Sequence, residues 1–405
     1  MAVGAGCSGD YLPVAGVKLA AAKSEIRYPD RLDLVLIELV ENSNVAGVFT
    51  QNAFCAAPVT VAKAHAQNAL PRYFLINTGN ANAGTGEAGK LNALRCCQVI
   101  ADLGEVAVQQ VLPFSTGVIG EELPVEKVVV ATPELFANLS SDKWPEAAQG
   151  ILTTDTRHKL VSRQVEIEGK SITITGIAKG SGMIKPNMAT MLAFIFTDAD
   201  IDAELLDQLL HNANNKSFNR ITVDGDTSTN DCCMLVATGQ ANVPIIELDT
   251  ETRDKFTYVL EKVFVELAKE LIKDGEGASK FVTVRVESGN SSEECLQVAY
   301  AIAESPLVKT ALFASDPNWG RILAVIGRAG IENLNLEDVT IDIGDVRIVS
   351  GGSVDPDYSE DDGQVQMSGE EIIIKVCLHR GESEETVWTS DLSHEYVSIN
   401  ADYRS

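Results

Sequence analysis

The sequence predicts an α+β protein, a layered α/β sandwich whose sheets are largely antiparallel. Short apolar or alternating runs, which are typical of strands, recur through both halves of the 405-residue chain. Amphipathic helical patterns lie between them, and the longest covers residues 256–272. Because helices and hairpins alternate in this way, helices layered on sheets would bury the apolar faces of both.

Length and charge limit the classes of function. A chain of 405 residues exceeds one ordinary core, so two or three subdomains are expected. The net charge of −26 argues against binding to nucleic acid or anionic lipid, which both need basic surface. No apolar run reaches the roughly 18 residues of a membrane span, and the N-terminus lacks a signal-peptide pattern. These features predict a cytoplasmic protein.

Cysteines and histidines give no sign of a metal site. The eight cysteines include no CxxC pair, and the five histidines show no HExxH or similar spacing. We therefore expect reduced cysteines and neither metal nor cofactor.

The first half begins with an expected hairpin, in which residues 32–40 and 45–50 are strands joined by the turn 41–44. A short strand at 74–76 leads into a polar, glycine-rich loop at 77–86 and then a helix. That loop is either an anion or backbone-contact site at a helix N-terminus or a simple turn with left-handed asparagines.

A second polar interruption, Ser115-Thr116-Gly117, lies between apolar flanks. It either presents a hydroxyl and backbone N–H groups to a ligand or is only a bend. Short helices are predicted at 133–139, opening with Pro133, and at 144–152. The alternating residues 165–175, with Glu168-Gly-Lys170 at their centre, predict a hairpin.

In the second half, a buried strand is predicted at 191–196 and a helix at 203–213. The dense polar turn 221–231 could orient a nucleophile, bind a cation or be a structural Asx turn. Gly275 fits the C′ position of the helix that ends near 272, and residues 315–321 form a turn before the apolar run 322–326. The remaining predictions are a helix at 293–303, capped by Ser291 or Ser292, and strands at 281–287, 339–343, 346–349, 372–378 and 386–390.

The central stretch carries the candidate nucleophile, Thr190, at the entrance to the strand 191–196. A threonine hydroxyl needs a base, and there is no GxSxG elbow; His158 stays open as a partner. The alternative to a histidine base is cleavage of the Ala189–Thr190 bond, which would make Thr190 an N-terminal residue. The freed α-amine, with a pKa of about 8, would then act as the base for its own hydroxyl.

This stretch, Lys179-Gly-Ser-Gly-Met-Ile-Lys-Pro-Asn-Met-Ala-Thr-Met-Leu-Ala-Phe, resembles the signature of the ornithine acetyltransferase family, the self-processing enzymes of arginine biosynthesis. The resemblance runs from about residue 10 to the C-terminus. Further matching motifs, in the family's order, are Thr78-Gly-Asn-Ala-Asn-Ala, Ser115-Thr-Gly-Val-Ile-Gly, Thr153-Thr-Asp-Thr, Val223-Asp-Gly-Asp-Thr-Ser-Thr-Asn-Asp, Asp274-Gly-Glu-Gly-Ala-Ser-Lys, Ser315-Asp-Pro-Asn-Trp-Gly-Arg and Ile399-Asn-Ala-Asp-Tyr.

The resemblance implies self-cleavage between Ala189 and Thr190, which gives an α chain of residues 1–189 and a β chain of residues 190–405. Thr190 would take the acetyl group from N-acetylornithine and pass it to glutamate in a ping-pong cycle. Thr116 and Gly117 match the family's oxyanion hole. The positions that match its substrate-binding residues are Thr153, Lys179, Thr190, Glu276, Asn400 and Ser405.

From their charges, Lys179 would pair with an α-carboxylate and Glu276 with an amino group. Ser405 stands where the family often has threonine, and it keeps the hydroxyl. The resemblance also implies an α2β2 assembly and, in bifunctional members, acetyl-CoA as a co-substrate.

Two other classes of protein remain open. A threonine amidohydrolase or aminopeptidase would use the same nucleophile but hand the acyl group to water. A non-catalytic amino-acid-binding protein would keep one intact chain of 43.4 kDa.

Overall fold

The computed structural model of the chain describes residues 2–7, 10–185 and 191–402, which form two folded units. The larger unit comprises Cys7–Asn219 and Thr227–Leu271. The smaller comprises Met1–Gly6, Arg220–Asp226 and Ile272–Ser405. The predicted boundary at residue 190 is one of chain cleavage and stays a prediction, because the folded units divide the chain elsewhere. None of the described helices is long and apolar enough to cross a membrane.

The strands are numbered in chain order. They are β1 (Val17–Ala22), β2 (Leu34–Leu39), β3 (Asn44–Phe49), β4 (Tyr73–Asn80), β5 (Val111–Val118), β6 (Lys159–Ile167), β7 (Lys170–Lys179), β8 (Leu192–Thr197), β9 (Ile221–Thr222), β10 (Cys232–Ala237), β11 (Phe281–Gly289), β12 (Thr340–Ile343), β13 (Val346–Ser350), β14 (Ser353–Val354), β15 (Glu371–Cys377) and β16 (Ser383–Ser390).

The α-helices are numbered in the same way. They are α1 (Ala57–Asn68), α2 (Gly86–Gly104), α3 (Val125–Ala137), α4 (Trp144–Gly150), α5 (Ala203–Lys216), α6 (Thr250–Lys273), α7 (Ser292–Ala303), α8 (Pro306–Phe313), α9 (Trp319–Gly327), α10 (Glu360–Met367) and α11 (His394–Ala401).

Two sheets pack face to face in the larger unit. Their strand orders are β1-β2-β4-β5 and β3-β10-β8-β7-β6. Ile37 and Phe74 of the first sheet share a core with Phe194, Phe196 and Met234 of the second. All six residues of β8 are buried, and burying one such aromatic side chain stabilises the fold by about 1.5–3 kcal/mol.

Helices cover the outer faces of both sheets. On the first sheet, Leu36 and Leu75 pack with Ile100 of α2 and Leu135 of α3. On the second, Gly176 of β7 lies so close to α6 that an added Cβ would come within 2.8 Å of Leu267. The four layers are therefore helix, sheet, sheet and helix, which confirms the predicted sandwich.

The smaller unit is one seven-stranded sheet with helices packed on a face. Its order is β14-β13-β12-β15-β11-β16-β9. Val282, Val284 and Val286 alternate inward along β11 and share a core with Val298 of α7 and Ile326 of α9. Among the described strand pairs of both units, β4–β5, β8–β10, β11–β15 and β9–β16 are the parallel ones, so the predicted antiparallel character is confirmed.

The predicted hairpin across residues 41–44 is wrong. β2 pairs antiparallel with both β1 and β4, so both of its edges are occupied within the first sheet. β3 instead pairs with β10 in the second sheet. The turn therefore carries the chain from one sheet to the other, a choice that the local alternation of residues does not encode.

Two polar segments extend strands where loops were expected. β4 continues to Asn80, so the predicted loop at 77–86 begins later, and Ser115-Thr116-Gly117 lies within β5. Ser115 Oγ donates to Asn77 Oδ1 at 2.6 Å, and Asn77 Nδ2 donates to the Asn80 carbonyl at 2.9 Å. Because these polar groups bond one another, they are satisfied inside the sheet.

Three helix assignments also change. α3 begins at Val125, so Pro133 lies inside it and does not open it; the buried face of Val125, Val128 and Leu135 holds the helix together. α9 begins at Trp319 inside the expected turn, capped by Asn318. Gly277, with φ +67°, has the left-handed backbone after α6, whereas Gly275 does not. Elements without a prediction include β1, β9, β10, β14, α1, α8, α10 and α11, and β9 occupies the first two residues of the predicted polar turn 221–231.

The other predicted elements are confirmed within a few residues. The hairpin around residues 168–169 is present, since Ile167 pairs with Lys170 and both turn residues have positive φ. Ser291 caps α7 by accepting from the Glu294 N–H.

Candidate active site

Three of the predicted site residues, Ala189, Thr190 and Ser405, lie outside the described residues. The strand that follows Thr190 is described: Leu192 opens β8, pairs with Lys179 of β7 on one side and with Cys232 of β10 on the other. Thr190 therefore precedes by two residues a central strand of the second sheet.

Lys179 brings two other predicted site residues together. Its ammonium donates to Thr153 Oγ1 at 2.8 Å and to Thr116 Oγ1 at 3.2 Å, and the residue is only 8% exposed. Lys179 lies two residues beyond Ile177 on β7, so its side chain points between the sheets. Strands from both sheets thus supply polar groups to one small region.

Asp155 is the counter-charge of this region. Its Oδ2 lies 3.9 Å from Lys179 Nζ, its Oδ1 pairs with Lys159 Nζ, and its side chain is fully buried. The N–H groups of Thr153 and Gly180 donate to the same carboxylate at 3.1 and 2.7 Å. Burial opposes ionisation, but the two lysines and these hydrogen bonds outweigh it and hold the pKa of Asp155 below its usual range.

Asp155 therefore fixes the loop after α4 against the end of β7. A second contact does the same, since Thr154 Oγ1 and Ser181 Oγ are 2.6 Å apart. The sequence predicted Thr153 of the Thr153-Thr-Asp-Thr motif as a site residue but predicted no role for Asp155. The spacing of four residues between Asp155 and Lys159 is the feature that could have indicated an ion pair, although the two residues lie on a loop and a strand and not on a helix.

A second buried carboxyl, Asp231, precedes β10. The Cys232 N–H donates to the Met191 carbonyl at 2.9 Å, so Asp231 lies beside the beginning of β8. Its Oδ2 is buried and has no hydrogen-bond partner among the described residues. Burial raises the pKa of Asp231 well above the usual value, against the opposing effects of Ser228 and Lys179. Within the larger unit, the fold thus favours the ionised form of Asp155 and the neutral form of Asp231.

Gly117 is held in a backbone conformation that favours glycine. Its φ is +136°, and an added Cβ would lie 2.3 Å from the carbonyl carbon of Gly79. The β4–β5 register shifts beside it, at Gly79 and Asn80. The close approach of the two strands explains why the residue after Thr116 has no side chain.

Glu276 and Asn400 meet in the smaller unit. Asn400 Nδ2, on α11, donates to Glu276 Oε2 at 2.7 Å. Tyr396, one turn earlier on α11, donates its hydroxyl to Asp224 Oδ2 at 3.2 Å. Burial, and then the charge of Asp224, raises the pKa of Tyr396, so this phenol stays protonated. The two predicted residues of this unit are therefore neighbours.

Within the described residues, no group of three or more histidine, cysteine or acidic side chains is arranged to hold a metal ion. Burial, and then the charge of Lys159, lowers the pKa of His158, which keeps this imidazole neutral at pH 7.

A family model described as the ArgJ family matches residues 18–405. The chain belongs to the ArgJ family. It is 53% identical over 406 residues to a protein of Pseudomonas fluorescens named arginine biosynthesis bifunctional protein ArgJ, and each chain is covered in full. A protein of the same name from Pseudomonas syringae pv. tomato is 53% identical over 409 residues, again with full coverage.

One solved ArgJ structure is also similar. The crystal structure of arginine biosynthesis bifunctional protein argJ from Bacillus halodurans is 39% identical, with a TM-score of 0.50. The match covers 52% of this chain and 99% of the solved one. The ArgJ family is that of the ornithine acetyltransferases, so the predicted family and enzyme class, an acetyltransferase of arginine biosynthesis, are confirmed.

Proposed function

We propose that this protein transfers the acetyl group of N-acetylornithine to glutamate through an acetyl ester on Thr190. Thr190 Oγ would attack the acetyl carbonyl, the C–N bond would break and ornithine would leave with the proton that the α-amine had taken from Oγ. The amino group of glutamate would then attack the ester, releasing N-acetylglutamate and restoring the threonine hydroxyl.

The observation that carries the proposal is the arrangement at Lys179. Its ammonium bonds Thr116 and Thr153, and Asp155 holds it in position. Both N-acetylornithine and glutamate carry an α-carboxylate, so one cation can serve both halves of the cycle. Thr116 and Gly117 would stabilise the tetrahedral oxygen, and removing one such donor costs roughly 3–4 kcal/mol.

The proposal includes hydrolysis of the Ala189–Thr190 bond, which consumes one water and frees the α-amine. The length of the solved chain from Bacillus halodurans supports this step, because about half of the present chain matches nearly all of it. Residues 190–405 likewise make up slightly more than half of the 405 residues. Thr153, Glu276, Asn400 and Ser405 are proposed to bind substrate, Glu276 through an amino group.

We further propose that the protein needs no metal or cofactor, acetylates glutamate from acetyl-CoA as well, assembles as α2β2 and acts in the cytoplasm. Incubation with acetyl-CoA and glutamate tests the second activity. A native mass twice that of the 43.4 kDa chain tests the assembly.

The central experiment compares wild type with Thr190→Ala and with Thr257→Ala, a control on α6. Denaturing electrophoresis and N-terminal sequencing should show two fragments, one beginning at Thr190, for wild type and the control, and one uncut band for Thr190→Ala. N-acetylornithine labelled in its acetyl group should give labelled N-acetylglutamate. Free acetate as the main product would mean a hydrolase, and transfer by an uncut wild type would exclude the self-cleavage mechanism.

A further inference from the structure

The polar loop before β10 contains a buried amide whose two N–H donors and carbonyl oxygen are all hydrogen-bonded. Asn230 is 5% exposed, and its Nδ2 donates to the Ser115 carbonyl at 2.9 Å and to the Ala81 carbonyl at 2.6 Å. Its Oδ1 accepts from Thr229 Oγ1 at 2.5 Å. Because both carbonyls can only accept, the amide has one orientation that satisfies all three contacts.

The Ser115 carbonyl belongs to the peptide bond whose nitrogen is that of Thr116. Since a peptide unit is planar, fixing this oxygen also fixes the direction of the Thr116 N–H and the path into Gly117. The Ala81 N–H in turn donates to the Val118 carbonyl at 2.9 Å. Asn230 therefore bonds β5 directly on the N-terminal side of Thr116 and, through Ala81, is linked to Val118 on the C-terminal side of Gly117.

The loop that carries Asn230 is itself held from its other side. The Thr229 carbonyl accepts from the Ala56 N–H at 3.0 Å, and the Asp231 carbonyl accepts from the Thr50 N–H at 2.9 Å. Asn52 Nδ2 donates to the Thr227 carbonyl at 2.9 Å. The position of Asn230 is thus set by the segment after β3.

We propose that Asn230 is a positioning residue for the oxyanion hole, acting through the Ser115 carbonyl on Thr116 and Gly117. This rests on the proposed function, which takes Thr116 and Gly117 as the hole. Donors stabilise a developing oxyanion only if they are already aimed at it, and a misplacement of about 1 Å can cost about 100-fold in rate. The polar turn at 221–231 would then contribute to catalysis without touching substrate.

Asn230→Asp tests the proposal because it keeps the size of the side chain and replaces the two N–H donors with a carboxylate oxygen facing two carbonyls. We expect kcat per cleaved chain to fall about 10- to 100-fold, with each KM changed less than about threefold. Acetylation by N-acetylornithine and deacetylation by glutamate should slow by similar factors, because both pass through an oxyanion.

Thr229→Val is a milder second variant that removes only the hydrogen bond to Asn230 Oδ1, and it should lower kcat in the same direction by a smaller factor. Asn44→Asp is the matched control, since Asn44 Nδ2 donates to the Ile201 carbonyl at 2.8 Å at the other end of the sheet. It should change the unfolding midpoint and leave kcat within about twofold. Unfolding curves of all the variants separate folding defects from catalytic ones.

Unchanged kcat in Asn230→Asp and Thr229→Val, with an active wild type, overturns the positioning role alone. A rise in KM without a fall in kcat also overturns it, because that result indicates substrate binding. A cleaved wild type that transfers no acetyl group overturns the proposed function and this assignment together.

Discussion

At the scale of residues, the charges around Lys179 decide what the candidate site can bind. Lys159 and Lys179 share Asp155, whose pKa is lowered, whereas Asp231 is driven toward its neutral form. The carboxylate of Asp155 is thus shared by two lysines, and Asp231, whose pKa Lys179 also affects, resists ionisation. Such an environment favours an anionic group such as a carboxylate.

Lys179→Met should raise the KM of both N-acetylornithine and glutamate, because the α-carboxylate is common to the two substrates. A charge-assisted hydrogen bond contributes about 1.5–3 kcal/mol, so a rise of about 10- to 100-fold is expected in steady-state kinetics. Lys170→Met is the control, since Lys170 is exposed at the other end of β7 and should leave both constants unchanged. A change in only one KM would contradict a shared carboxylate site.

Asp231→Asn should flatten the pH dependence of stability. The folded protein raises the pKa of Asp231, so its contribution is fully favourable below the unfolded value of about 3.9 and is lost as pH rises toward the folded value. Asparagine has the same shape and cannot ionise, so the variant does not lose this stability as the pH rises. Urea unfolding at pH 8 should therefore show a larger free energy of unfolding for Asp231→Asn than for wild type.

Near pH 3 the gain seen at pH 8 should disappear, because this pH lies below the unfolded value of about 3.9 and Asp231 of the wild type is then mostly protonated in both states. Equal stability of variant and wild type at both pH values would mean that the carboxyl is ionised in the fold.

At the scale of elements, β4 and β5 approach each other closely at Gly117, so a substitution there tests this contact most directly. Gly117→Ala places a Cβ against the Gly79 backbone and also requires φ +136° of a residue with a side chain. We expect β5 to shift and acetyl transfer to fall more than about 100-fold, the effect of losing an oxyanion donor. Steady-state kinetics on the cleaved variant measures this loss.

Gly120→Ala is a control on the same segment, since its φ is +82° but nothing lies within 4 Å of the added Cβ. It should cost about 1 kcal/mol of stability from backbone strain and leave kcat within about twofold. Equal losses in the two variants would mean that strain, and not the contact with Gly79, is responsible.

The two hairpin predictions differ in outcome for a physical reason. The turn at 168–169 is local, because two residues with positive φ reverse the chain and pair Ile167 with Lys170 directly. The turn at 41–44 instead separates strands that enter different sheets, and the partners of β3 lie nearly 190 residues away in β10. Short turns are encoded locally, whereas sheet membership depends on distant strands.

At the scale of the whole molecule, the proposed cut would divide one sheet between two fragments. In the order β3-β10-β8-β7-β6, strands β3, β6 and β7 precede residue 190, and β8 and β10 follow it. β8 pairs with β7 over the register from Ile174–Thr197 to Lys179–Leu192. The fragments would therefore be interleaved and not simply adjacent.

We expect the cleaved fragments to stay together in native buffer. Size-exclusion chromatography at nanomolar concentration should elute both in one peak, and urea should release them only in the same transition that unfolds the sheet. Separation of the fragments without denaturant would contradict the strand order of this sheet.

The sequence by itself determined the family, the fold class and most regular elements. A continuous apolar run predicted β8, alternation predicted the hairpin at 168–169, and helical spacing predicted the long helix α6, because these patterns depend on neighbours in the chain. The motifs around Thr116, Thr153 and Lys179 identified residues that the fold does bring together. The predicted roles of Thr190 and Ser405 stay predictions.

Only the tertiary structure decided which strands share a sheet, that Asp155 lies between Lys159 and Lys179, and that Asn230 reaches β5 beside Thr116. Asn230 lies 115 residues from Ser115 in the chain, and no periodic pattern links them. The physical reason is that hydrogen bonds and buried ion pairs act over about 3–4 Å in space. The sequence shows which polar and charged groups the chain contains, but the fold determines which of them come into contact.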